Sequence, residues 1–150
     1  MQYYSTRGED GPLGYEEALL SGLARDGGLY LPVRWPKFSL AAIASMRGLS
    51  YAELAGRIMA PFCDGEVDEA ELAAMAKDAY AEFDHPDIAP VVPLQDNLHV
   101  LELFHGPTIA FKDYAMQFLA RAFDRALKKN GQHAVILGAT SGDTGSAALE

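Results

Sequence analysis

The sequence predicts an α/β chain: a mainly helical N-terminal region over residues 1–89, followed by the beginning of a parallel α/β layer over 90–150. Three observations predict it. Capping signals recur through the first region, at Ser39, at Ser50 with Glu53, and at Asp68. Two short apolar runs, 98–104 (LHVLELF) and 134–137 (AVIL), read as buried strands. A helical pattern lies between them, and strand, helix, strand is the order that joins parallel strands.

Taken in order, residues 3–5 read as a short strand, and 6–14 as a loop broken by Gly8, Gly11, Pro12 and Gly14. Residues 15–25 read as a helix with Ala18, Leu19 and Leu23 on its apolar face, closed by Gly27 and Gly28. Residues 29–32 are extended and suited to pair with the first strand. Ser39 caps a short helix to about Met46. Ser50 and Glu53 form a capping box for a helix to about Phe62, and Asp68 opens one to about Phe83. Residues 85–93 make a stiff connector; Val91, Val92 and Leu94 have the composition of a short edge strand, but Pro93 counts against it. Asp113 reads as the N-cap of a helix that ends at Lys128, Lys129, Asn130 and Gly131. On that helix Tyr114, Phe118 and Arg121 share one side; Ala115, Leu119, Ala122 and Ala126 share another. Another helix starts near Ser146.

Composition narrows the function. The 150 residues carry a net charge of −9, and 49% are hydrophobic, which is globular. Nucleic acid and anionic membranes need clustered cations, so neither is expected as a partner. Cys63 is the one cysteine, so there is no disulfide framework, and the histidines show no metal-ligand spacing. With no apolar leader at the start, a cytoplasmic location is expected. Glu150 falls a few residues into the last helix, and the layer holds two strands. The sequence therefore reads as the N-terminal part of a longer protein, cut at its C-terminal end.

Two loops carry the chemistry. Residues 105–113 (HGPTIAFKD) place Lys112 at a helix start, behind the apolar Ile109, Ala110 and Phe111. One reading is a solvated lysine. The other is a partly buried amine whose pKa falls, leaving a neutral nucleophile or base. Residues 138–145 (GATSGDTG) read either as a turn feeding a helix or as a cradle of hydroxyls and amides. The loop lacks the Lys-Ser/Thr of a P-loop and the glycine spacing of a dinucleotide fingerprint. Asp143 inside it suits a zwitterionic substrate or a protonated cofactor better than a bare phosphate. Both loops would leave the carboxyl ends of parallel strands, the edge where such sheets bind ligands. His105 is a candidate to line that crevice, or else a histidine bonding the loop backbone. Arg7 is a candidate for a phosphate, or else an ordinary paired arginine.

Together, HGPTIAFKD, GATSGDTGSAA and the N-terminal stretches YYSTRG and LARDGGLYLP resemble the threonine synthase family, over nearly the whole chain. The resemblance implies the three-layer α/β/α pyridoxal 5'-phosphate domain of fold type II. It implies that Lys112 carries the cofactor as a Schiff base and moves protons. It also implies that Ser141, Gly142, Asp143 and Thr144 hold the substrate carboxylate, with Asp143 beside the cofactor. The implied reaction takes O-phospho-L-homoserine and water to L-threonine and phosphate. The groups for the cofactor phosphate and pyridine nitrogen would lie past Glu150, so residues 1–150 alone are expected to be inactive. Three rivals stand at this point: another pyridoxal-phosphate lyase or dehydratase of the fold, a non-catalytic relative, and a cofactor-free lysine Schiff-base enzyme.

Overall fold

A computed structural model describes residues 1–150, which form a mixed α/β structure, mostly helical, with two small antiparallel sheets. Its contacts divide it into two units, Met1–Ala74 and Met75–Glu150.

In the first unit, β1 (Tyr3–Ser5) pairs antiparallel with β2 (Tyr30–Pro32), in the register Tyr3 to Pro32 and Ser5 to Tyr30. Two carboxylates tie the intervening loops to this ribbon. Asp26 accepts from the Ser5 hydroxyl at 2.6 Å and from the amides of Gly28 (2.9 Å) and Glu9 (3.1 Å). Asp10 accepts from the Tyr30 hydroxyl at 2.7 Å and the Arg25 amide at 2.8 Å. These bonds hold both carboxyls below their ordinary pKa: Asp10 chiefly through the Arg25 amide, Asp26 chiefly through Ser5. Arg7 donates to the Asp26 carbonyl at 2.8 Å, so this arginine serves the loop. The YYSTRG and RDGG stretches are therefore partners of each other.

The first helix, α1 (Tyr15–Ser21), is shorter than the expected 15–25. Gly22 takes a left-handed φ of 68° and ends it before Gly27 is reached. Its N-terminus is capped from a distance. Glu66 accepts from the amides of Tyr15 (2.8 Å) and Glu16 (2.9 Å), while the N-cap residue itself is Gly14. A side chain at Gly14 would meet the Glu66 carboxylate at 2.6 Å, so glycine there leaves room for the cap. Glu66→Ala is expected to cost about 1 kcal/mol, the usual worth of a cap. Thermal unfolding would check it: an unchanged melting temperature would assign the capping energy elsewhere.

The remaining helices begin where their hydroxyls and carboxylates dictate. Ser39 caps α2 (Leu40–Ser45), accepting from Ala42 N at 3.1 Å. Ser50 and Glu53 complete the capping box of α3 (Tyr51–Cys63). Asp68 accepts from Glu71 N at 2.7 Å ahead of α4 (Glu69–Ala79). Gly56 lets α3 approach the next helix, because a Cβ there would lie 2.7 Å from the Glu69 carbonyl. Cys63, Val67 and Leu72 are buried. Tyr3 donates to the Phe62 carbonyl at 3.0 Å, and burial, with Cys63 and Glu66 nearby, pushes its phenol up to about 12.

In the second unit α4 stops at Ala79, short of the expected Phe83. Phe83 instead meets the rings of Tyr80 (5.2 Å) and Tyr114 (4.9 Å) edge-on. The two runs expected to be buried parallel strands behave differently. Residues 98–101 form β4 (Leu98–Leu101), and β4 pairs antiparallel with β3 (Val91–Gln95) in an exposed hairpin. Asn97, at φ 58°, makes the tight turn, and Pro93 is accommodated at a position where the register shifts. Residues 134–137 form no strand. Val135 and Leu137 are each 98% exposed, and a strand exists only where its amides and carbonyls find a neighbouring strand.

The long helix α5 (Lys112–Asn130) starts one residue before the expected cap and ends at Gly131 in the left-handed region. Its buried stripe is Asp113, Gln117, Ala122 and Ala126; Ala115 and Leu119 are exposed. Arg121 donates to the Gln117 side-chain oxygen at 3.1 Å, which satisfies that half of the buried amide. The last helix, α6 (Asp143–Leu149), packs on α5 and buries Ala147. No helix is long and apolar enough to cross a membrane.

Candidate active site

The lysine loop leaves β4 and is fixed at both ends before α5 begins. At the first end is His105. Its Nδ1 faces the Asp84 carboxylate at 2.8 Å and its Nε2 faces Glu102 at 2.8 Å. Carboxylates accept only, so both bonds are made when the ring is imidazolium and donates from each nitrogen. The side chain is 13% exposed, between the rings of Phe104 (4.6 Å) and His85 (4.9 Å). A backbone bond from Asp84 N to the His105 carbonyl, 3.0 Å, reinforces the clamp. His105 thus bonds carboxylates, where the sequence offered a crevice or the loop backbone.

At the second end Gly106 to Ile109 close a turn, with Ile109 N donating to Gly106 O at 3.0 Å. Ile109 sits at φ 66°, a region disfavoured for a β-branched residue. Asp113 was expected to cap α5, but the N-cap residue is Phe111, and Asp113 lies in the first turn. Its carboxylate turns back on the loop and accepts from Thr108 N at 2.9 Å and from the Thr108 hydroxyl at 2.6 Å. The short Asp side chain reaches the loop because Gly106 has no side chain to block it.

Lys112 stands between these anchors as the first residue of α5, half-buried. That partial burial is the one expected, although the apolar run before it is itself open: Ile109 is 70% exposed and Phe111 55%. The ammonium lies 4.7 Å from the centre of the Phe111 ring, a contact with a ring face rather than with a carboxylate. An amine held this way is not locked into an ion pair.

The second loop runs into α6. Gly142 is its N-cap residue, at φ 135°, and Asp143 is its first residue. Thr140 organises the turn, its hydroxyl oxygen accepting from the amides of Gly142 (3.2 Å) and Gly145 (3.1 Å). A Cβ at Gly145 would meet that oxygen at 2.6 Å. Ser141, Gly142 and Asp143 are exposed and Thr144 is half-buried. The two loops thus stand at the N-termini of α5 and α6, two helices packed on each other.

The His105 clamp gives the loop a pH dependence. The bond to Glu102, opposed by burial and reinforced by Asp84, raises the imidazole above its ordinary 6.5. Its stabilisation is therefore complete below 6.5 and is lost as pH rises through the higher folded value. Melts across that range are expected to show stability falling with pH in the wild type, and a flatter dependence in His105→Gln. Identical slopes would remove the clamp from the pH response.

Sequence reasoning missed both anchors. Glu102 and His105 are three residues apart, and Thr108 and Asp113 five, so each pair was open to a local search. Asp84 is 21 residues from His105 and comes to it only through the fold.

Comparisons with known proteins agree with the motifs. The family model described as threonine synthase N terminus matches residues 2–80. The Pseudomonas aeruginosa protein named threonine synthase is 53% identical over 150 residues, covering 100% of this chain and 32% of its own length. The crystal structure of pyridoxal-phosphate-bound threonine synthase from Brucella melitensis superposes with a TM-score of 0.95 at 53% identity. That match covers 99% of this chain and 32% of the other. Threonine synthase from Escherichia coli gives 0.83 at 33% identity, covering 99% of this chain and 33% of its own. The chain thus spans about a third of the length of the curated relatives it matches. With the model match covering more than half of its residues, the chain belongs to the threonine synthase family.

Proposed function

We propose that this chain supplies the cofactor lysine of a pyridoxal 5'-phosphate enzyme that converts O-phospho-L-homoserine and water into L-threonine and phosphate. The observation that carries the reading is Lys112: an amine clear of carboxylates, at the head of a helix, on a loop fixed at both ends. Family membership supplies the chemistry to go with it. In this reading residues 1–89 are a helical N-terminal region, and 90–150 begin the parallel α/β/α cofactor domain of fold type II. The exposed Val135, Ile136 and Leu137 are apolar as a central strand of such a sheet would be.

Lys112 holds the cofactor and, once displaced by the substrate amine, takes and returns protons at the α and β carbons. Ser141, Gly142, Asp143 and Thr144 hold the substrate carboxylate, and Asp143 also lies beside the cofactor. Pyridoxal phosphate, when bound, supplies the electron sink that makes those carbons acidic. Phosphate leaves from the γ carbon and water adds at the β carbon. The enzyme works in the cytoplasm.

The test is an absorbance spectrum of the full-length protein that contains this chain, with added pyridoxal phosphate, before and after borohydride, followed by peptide mapping. Support would be a lysine-bound chromophore trapped on the peptide holding Lys112, together with turnover of O-phospho-L-homoserine in preference to serine or threonine. No trapped lysine would end the reading.

A further inference from the structure

We propose that Asp113, acting with Thr108, is a positioning residue that sets the direction in which Lys112 delivers its amine. The inference rests on Lys112 being the cofactor lysine.

Asp113 is 0% exposed, in the first turn of α5, immediately after Lys112. An acid in a first turn ordinarily serves the helix, facing water or its own amides. Here both carboxylate oxygens leave the helix and take the Thr108 amide (2.9 Å) and hydroxyl (2.6 Å). A buried carboxylate is tolerated only when its oxygens are satisfied, so Thr108 is a required partner. Successive side chains leave an α-helix about 100° apart. Fixing Asp113 inward therefore fixes the direction of Lys112 around the same axis. The helix cannot rotate there without breaking two hydrogen bonds to a buried charge.

The loop between the two partners is constrained as well. Ile109 is held at φ 66°, a conformation that persists only where the surroundings impose it. The backbone bonds Ile109 N to Gly106 O and Asp113 N to Ala110 O, both 3.0 Å, close the loop at each end. Thr108 to Asp113 is thus a closed ring of contacts with Lys112 as one of its members. A device that only stabilised the fold would not need its polar bonds concentrated on the residues flanking the lysine.

The test uses the full-length protein that contains this chain, loaded with pyridoxal phosphate. Thr108→Val removes the hydroxyl and keeps the backbone amide; Thr108→Ser keeps both; Asp113→Asn removes the charge. Thr108→Val and Asp113→Asn are expected to trap the cofactor on Lys112 with borohydride. They should nevertheless lose much of the circular dichroism induced in the bound chromophore. Their kcat should fall about 10- to 100-fold with KM little changed, as misplacement of a reacting group does. Thr108→Ser should restore both signals. Wild-type dichroism and kcat in Thr108→Val would overturn the inference, as would a kcat loss that only tracks the unfolded fraction. If Asp113→Asn does not fold, the Thr108 pair decides alone. A wild type with no lysine-bound chromophore sinks the reading of Lys112 and this inference with it. That failure is distinct, because it shows before any variant is made.

Discussion

Lys112→Ala is expected to lose the trapped chromophore and to lower kcat by about 10²–10⁴-fold or more, the range for removing a proton-transfer group. The same change should hardly affect the fold. Lys112 is half-buried, and its contact is with the Phe111 ring, worth about 0.5–1 kcal/mol at an exposed site. Lysine and alanine both suit a helix start, so propensity adds little. A large kinetic loss with a small shift in melting temperature is the signature of a chemical role. Lys112→Arg sharpens the result: it keeps a cation over the ring, but a guanidinium does not give up its proton near neutral pH. Arginine should therefore preserve the melting temperature and still fail in turnover. Substantial turnover by either variant would remove Lys112 from the chemistry and leave the loop as a structural feature of the family.

What was legible in the sequence follows the range of the interactions that decide it. Ser39, Ser50 with Glu53, and Asp68 announce their helices because a cap is settled within four residues. The pairing of 3–5 with 29–32 was also readable, since both stretches are short and extended, with polar loops between them. The end of α1 was not, because three glycines, Gly22, Gly27 and Gly28, each offered a stop. The run 134–137 has strand composition, but composition supplies no partner, and in the structure Val135 and Leu137 face outward. Lys112 and the Ser141 to Thr144 loop were singled out through their motifs. The contacts that hold Lys112 were not, because Asp113 at a helix start looks like a cap until its carboxylate is seen to turn toward Thr108.

Gly106→Ala is expected to be the most damaging single-methyl change in the lysine loop. A Cβ at Gly106 would lie 2.8 Å from Cγ of Asp113, with other atoms of that side chain closer still. The clash is with the root of the side chain rather than a flexible tip. Asp113 has nowhere to go: it is fully buried and both its oxygens are committed to Thr108. Either the backbone shifts, an overpacking cost of about 1–3 kcal/mol, or Asp113 is expelled from Thr108. Expulsion leaves a buried carboxylate unpaired, at about 1–3 kcal/mol or more. Both routes move the residue next to Lys112. The melting temperature should therefore drop by several degrees, at about 2–4 °C per kcal/mol for a chain of this size, and trapping on Lys112 should weaken with it. Gly138→Ala is the control, since a Cβ there meets nothing within 4 Å. If the Asp113 contact is the cause, Gly106→Ala combined with Asp113→Gly should be less destabilised than the sum of the single changes, by about 1 kcal/mol or more of coupling. Strict additivity, or a Gly106→Ala variant as stable as Gly138→Ala, would show that the loop gives way and that the close approach of Gly106 to Asp113 does not hold the lysine in place.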